Sequence, residues 1–117
     1  MNRGNTVLVD FPYATGGGSK VRPVLVVQCD RNNARLQDTI VAIITSNTTR
    51  AGAEPTQYLI DSNHPDWRAS GLLLPSVVKC EHIYTFNLRR ILRHLGWLSA
   101  GTMRQVDDCL KASLDLP

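Results

Sequence analysis

The chain is poor in cysteine, aromatic residues and long apolar runs. Of 117 residues, 3 are cysteines, and Cys29, Cys80 and Cys109 stand far apart with no C-x-x-C spacing. An odd, scattered set describes neither a disulfide framework nor a zinc site. Buried thiols in a reducing cytosol are expected instead. The three histidines, His64, His82 and His94, lack a helical ligand spacing, so no metal is expected. No run approaches the ~18 apolar residues of a membrane span, and the opening Met-Asn-Arg-Gly has no apolar signal core. A cytoplasmic protein without membrane contact is expected. The Walker loop, the dinucleotide fingerprint, G-x-S-x-G and H-E-x-x-H are all missing, so no cofactor is expected.

What is present is an ordinary globular composition, 43% hydrophobic and 20% charged. The length suits one domain, residues 1–117, with a real core. A formal charge of +3 permits binding to a polyanion without establishing it. The positive residues are scattered, so any basic patch must be assembled by folding.

Two nearly continuous apolar, β-branched runs, Val21–Gln28 and Thr39–Thr45, read as strands covered on both faces. Thr6–Phe11 reads as a short strand ended by Pro12, and Pro55–Ile60 as a weaker one. Cys29–Ala34, Ser46–Glu54 and Asp61–Gly71 read as polar turns or loops. Leu72 opens a strand that continues past Pro75 to Cys80, on an edge or with a bulge. His82–Phe86 is one more short strand. Asn87 caps a helical turn over Leu88–Arg93, stopped by Gly96. Ser99 caps the clear helix Ala100–Leu114, whose Met103, Val106, Leu110 and Leu114 form one apolar stripe opposite Asp107, Asp108 and Lys111. The pattern predicts a mainly β fold: a small antiparallel, partly closed sheet with a terminal helix packed on it.

One stretch stands out for chemistry. Pro23 pushes Arg22 into an extended conformation at the start of a strand, a suitable way to hold a guanidinium for a phosphate or carboxylate. Upstream lies Ala14-Thr-Gly-Gly-Gly-Ser19. Gly16, Gly17 and Gly18 lead into a strand, not a helix, so a flexible hairpin connection fits better than a phosphate cradle. Thr45 and Ser46 close the second apolar run, where hydroxyls serve either a phosphate oxygen or a local turn. Glu81 and His82 begin a strand. Tyr13 and Trp67, placed in loops, are the better candidates for stacking on bases.

These pieces occur in a recognisable order: Gly4-x-x-Val7-x-x-x-Phe11, the glycine segment, Val21-Arg-Pro-Val-Leu-Val-Val27, Ile43-Ile-Thr-Ser46, Pro55-Thr56, Ser70-Gly-Leu72, Ser76-Val-Val-Lys-x-Glu-x-Ile83, and the final Leu98-Ser99 and Met103-x-x-Val106 helix. The whole resembles the MazF/PemK family, endoribonuclease toxins of type II toxin–antitoxin pairs. The resemblance implies an SH3-like small barrel and a homodimer. It also implies metal-free, ribosome-independent cleavage of single-stranded RNA, usually mRNA, and a cognate antitoxin protein as partner. Arg22 and Thr45 match the family's catalytic arginine and threonine. Ala14–Lys20, with Gly16, Gly17 and Gly18, matches a mobile loop that covers the active site and the antitoxin-binding region. Ser19, Lys20, Ser46, Glu81 and His82 are candidates for RNA binding or acid–base work, the general base being unassigned. The second reading is a non-enzymatic toxin of the same fold, resembling CcdB, which binds DNA gyrase. A third is an RNA-binding module without catalysis. The Arg22 and Thr45 pair favours the first.

Overall fold

The computed structural model describes residues 1–12 and 17–117. Its centre is a six-stranded, fully antiparallel sheet in the order β4-β5-β3-β2-β1-β6. The strands are β1 (Asn5–Pro12), β2 (Ser19–Val26), β3 (Asp38–Thr45), β4 (Gln57–Ile60), β5 (Ser76–Asn87) and β6 (Ile91–Trp97). Among the described residues, α1 (Asp30–Arg35) and the single turn α2 (Trp67–Ser70) connect strands, and α3 (Ala100–Leu114) follows β6.

The continuous apolar runs are covered on both faces, and alternation divides them between two cores. Val24 and Val26 of β2 join Val41 and Ile43 of β3, Val7 and Val9 of β1, and Phe86 on one face. Leu25, Ala42 and Ile44 point to the other, where Val78, Leu98, Met103 and Val106 close over them. Each fully buried Val, Leu or Ile contributes about 1.5–3 kcal/mol. Ser99 caps α3 through its side chain, accepting from the Thr102 amide.

Several elements depart from the expected boundaries. Cys29–Ala34 is largely helical. Its paired asparagines favour a turn by propensity, but Asn33 is buried and bonded to Gln28 and Thr39, and these tertiary bonds hold the helical turn. Asp30 and Arg35 also complement its dipole. Leu72–Pro75 is not strand. Beyond it β5 runs unbroken to Asn87, between β4 and β3, so Pro75 precedes an interior strand. The expected break survives as a bulge: Ala42 pairs with Ile83, but Ile43 pairs with Lys79, leaving Cys80, Glu81 and His82 outside the β3 register.

Asn87 caps only a 3-10 turn, Leu88–Arg90, accepting from the Arg89 amide. The chain then becomes β6, because the outer edge of β1 offers unpaired backbone groups. Gly96 lies inside that strand and stops no helix. A Cβ there would sit 1.8 Å from the Ala69 carbonyl oxygen of α2, so its bare Cα is what lets α2 dock. In α3, Leu114 is exposed, while Thr102 and Cys109 take buried places. Cys29 is exposed; Cys80 and Cys109 are buried.

Candidate active site

Pro23 is where the sequence opens the sheet. It stands inside β2, which is not an edge strand. β2 nevertheless gains β3 as a neighbour only from Val24, opposite Ile43. A proline has no amide for a ladder, and the two strands part at that point. Continued by two residues, the same register sets Arg22 level with Thr45. The parted strands thus present a guanidinium and a hydroxyl on opposite lips of a gap.

That gap is a cleft of about 430 Å³. Lys20, Arg22, Thr45 and Ser46 all line it, together with Arg93 of β6. Among the described residues no carboxylate does. Its other wall is apolar, formed by Leu72, Leu73, Leu74 and Leu95. Leu73 is 91% exposed. Ser76 pins the end of this wall by donating to the Leu74 carbonyl at 2.8 Å.

Two contacts arrange the lips. Arg22 lies with its guanidinium carbon 5.6 Å from the centre of the Phe11 ring, a cation–π distance. Phe11 is braced edge-on by Tyr84 at 4.9 Å and Phe86 at 5.4 Å. Thr45 Oγ1 accepts from the Asn47 amide at 3.2 Å. The local turn therefore uses a lone pair and leaves the hydroxyl hydrogen to donate. Both readings of this threonine, turn-former and donor, are compatible in one side chain.

A family model of PemK-like, MazF-like toxins of type II toxin–antitoxin systems matches residues 2–114. The chain belongs to this toxin family. Its similar relatives include Endoribonuclease MazF9 of Mycobacterium tuberculosis, 32% identical over 120 residues and spanning 99% of this chain and 98% of that protein. In fold it is similar to an endoribonuclease of a mycobacterial species, solved in complex with its cognate antitoxin. That likeness has a TM-score of 0.78 at 21% identity, covering 100% of this chain and 97% of the other. MazF from Deinococcus radiodurans superposes with a TM-score of 0.73 at 22% identity, covering 99% and 97%. The mainly β fold with an antiparallel sheet and a C-terminal helix, expected of the PemK/MazF family, is thereby met.

The other expected residues of the PemK/MazF pattern divide. Ser19 and Lys20 open β2 on the exposed side, Lys20 within the cleft and Ser19 just before it. Gly17 and Gly18 precede them, and Gly18 has a φ of 102°, which suits only glycine. Tyr13 and Gly16 lie outside the described residues. Glu81 and His82 do not reach the cleft, because the β5 bulge carries them off the β3 register. Glu81 instead lines an adjoining polar groove of about 380 Å³ with Asn47, Gln57 and Lys79. It accepts from Gln57 Nε2 at 2.8 Å and Thr56 Oγ1 at 3.1 Å. Burial works to raise its pKa, but hydrogen bonds from Gln57, its own backbone and Thr56, with the charge of Lys79, outweigh it and hold the carboxyl below the ordinary value. That makes Glu81 a weaker base than a free glutamate. His82 is exposed.

Trp67 is no loop aromatic; it sits in α2 and packs on the core. His64 is structural. The Asp66 amide donates to its Nδ1 at 3.0 Å, which places the ring hydrogen on Nε2, 2.7 Å from the Tyr58 hydroxyl. Sequence reasoning missed Phe11 as the seat of Arg22 and Arg93 as a cleft cation. Phe11 was within reach, since a hairpin closing between Pro12 and Ser19 sets it opposite Lys20. Arg93 was not, because the helical reading of Leu88–Arg93 hid its strand.

Proposed function

We propose that this toxin is a metal-independent endoribonuclease that cleaves single-stranded RNA, chiefly mRNA, in the cytoplasm. The observation that carries the reading is the meeting of Arg22 and Thr45 at one cation-lined cleft with no carboxylate among the described residues. The near full-length relative named as an endoribonuclease supports the activity. The neighbour solved with its cognate antitoxin supports an antitoxin partner. In this reading the working form is a homodimer.

The chemistry follows from the residue types. The RNA's own 2′-oxygen attacks the adjacent phosphorus as the bond to the departing 5′-oxygen breaks; the proton lost from the 2′-hydroxyl passes to solvent, and the 5′-oxygen takes one up. The products are a 2′,3′-cyclic phosphate and a 5′-hydroxyl. Negative charge gathers on the non-bridging oxygens. Arg22 is permanently charged and stabilises that charge; it is a poor base. The free hydrogen of Thr45 donates to the same phosphate, and Lys20 and Ser46 hold the strand. One such donor typically contributes ~3 kcal/mol, about a hundredfold in rate. The 2′-hydroxyl supplies the nucleophile, so no side-chain nucleophile is needed.

Gly17, Gly18 and Ser19 lead directly to Lys20, and in this reading the segment covers bound RNA. Glu81, fixed by Gln57 and beside Asn47, suits hydrogen bonding to base edges better than proton abstraction.

The test is cleavage of a diverse single-stranded RNA pool in EDTA, with sequencing of the ends. Cyclic phosphate ends are expected, and a 2′-deoxy substitution at the cut site should block cleavage. Arg22→Ala and Thr45→Val should each fold and bind RNA but cut about a hundredfold or more slowly. No cleavage across the pool, with inhibition of DNA supercoiling instead, would overturn the ribonuclease reading in favour of a gyrase-directed toxin.

A further inference from the structure

Arg93 is a cation without an assignment. It stands on β6, directly opposite Leu8 of β1, and Leu8 in turn stands opposite Pro23 of β2. These three residues form one row across three strands. Leu8, Pro23 and Arg93 all line the cleft. With neighbouring strands ~4.8 Å apart, the Arg93 backbone lies about 10 Å from that of Pro23. Arg93 is exposed and takes part in no ion pair among the described residues. Leu8 and Leu95 line the same cleft as Arg93 and Arg22. A cleft with cations on two separate strands and no carboxylate among the described residues is suited to more than one negative charge.

We propose that Arg93 forms a second phosphate subsite, which grips a phosphodiester flanking the scissile one and sets the register of the RNA strand. The proposal rests on the ribonuclease reading above and extends it. Arg93 is a binding and positioning residue: it holds the strand in the ground state and the transition state alike. Its loss should therefore raise KM and leave kcat nearly unchanged.

The experiment uses the full-length toxin and a single-stranded RNA oligonucleotide bearing a 2′-deoxy residue at the cut site. Binding is measured from 50 to 200 mM salt for wild type, Arg93→Ala and Arg93→Lys, and cleavage of the all-ribose strand is followed in parallel. Each phosphate neutralised on a single strand adds ~0.7 to the salt slope. Arg93→Ala should lose about that much. The affinity ratio of wild type to Arg93→Ala should then be about 2.6-fold larger at 50 mM than at 200 mM salt. Arg93→Lys should restore the slope, since a lysine also neutralises a phosphate. An unchanged slope in a folded Arg93→Ala protein, or a fall in kcat at constant KM, would overturn the subsite while leaving the ribonuclease reading intact. A wild-type protein that neither binds nor cuts RNA would overturn both.

Discussion

Replacing Gly96 by alanine tests how the cleft wall is held. Gly96 pairs with Thr6 across β6 and β1, and α2 lies against this pair. Thr6 is fully buried and donates its hydroxyl to the Ser70 carbonyl at 2.6 Å. A Cβ on Gly96 would meet the Ala69 oxygen at 1.8 Å, whereas real Cβ contacts begin near 3.0 Å. The obstructing atoms are backbone, so α2 must retreat by about 1.2 Å, the difference between those distances. That retreat stretches the Thr6–Ser70 bond beyond hydrogen-bonding range. An orphaned buried polar group costs about 1–3 kcal/mol and overpacking about 1–3 more. Gly96→Ala should thus destabilise by about 2–6 kcal/mol, against a typical total of about 5–15. Thr6→Val removes the hydrogen bond alone and should cost about 1–3 kcal/mol. The double variant should fall short of the sum, because both changes break one bond. Urea unfolding at a fixed protein concentration is the assay, with m monitored for two-state behaviour. Gly96→Ala within 0.5 kcal/mol of wild type, or full additivity with Thr6→Val, would refute the docking argument. Gly71 follows α2 immediately and leads into the Leu72–Leu74 wall, so surviving Gly96→Ala protein should also cut RNA poorly.

Two further outcomes concern titration. Asp66 accepts from the Ser99 amide at 2.8 Å and ties the α2 segment to the start of α3. Burial works to raise its pKa, but hydrogen bonds from Thr102 and Ser99 outweigh it and hold it below the ordinary value. A depressed carboxyl stabilises the fold above its unfolded pKa, ~3.9, and the benefit disappears as pH falls through the folded value. Asp66→Asn should therefore lose less stability than wild type between pH 5 and pH 2 in acid unfolding; an identical acid limb would refute the linkage. Burial pushes the Cys80 thiol up to about 12 and raises Cys109 as well, while Cys29 is exposed. A thiol-specific disulfide reagent at pH 8 should modify one cysteine quickly in the native protein and three in denaturant. Rapid reaction of more than one native thiol would contradict the burial.

The sequence by itself determined the class of fold and the terminal helix, and it picked out Arg22 and Thr45 as candidates. Continuous β-branched runs at Val21–Gln28 and Thr39–Thr45 require cover on both faces, and β2 and β3 have it. Ser99 before an apolar stripe sets the start of α3 through a local bond, so it was legible. Arg22 and Thr45 stood out as candidates because Pro23 and a strand end constrain them locally and because their motifs match the family's pattern. Tertiary structure decided the remainder, where a residue's role depends on a distant partner. Asn33 becomes helical because Thr39 and Gln28 satisfy it, and Gly96 is a docking point because α2 presses on it. The bulge in β5 turns Glu81 and His82 away from the cleft, and adjacency to Arg22 in sequence played no part in bringing Arg93 to it. Short-range propensity states which strands form; the order in which they pair decides whose side chains meet.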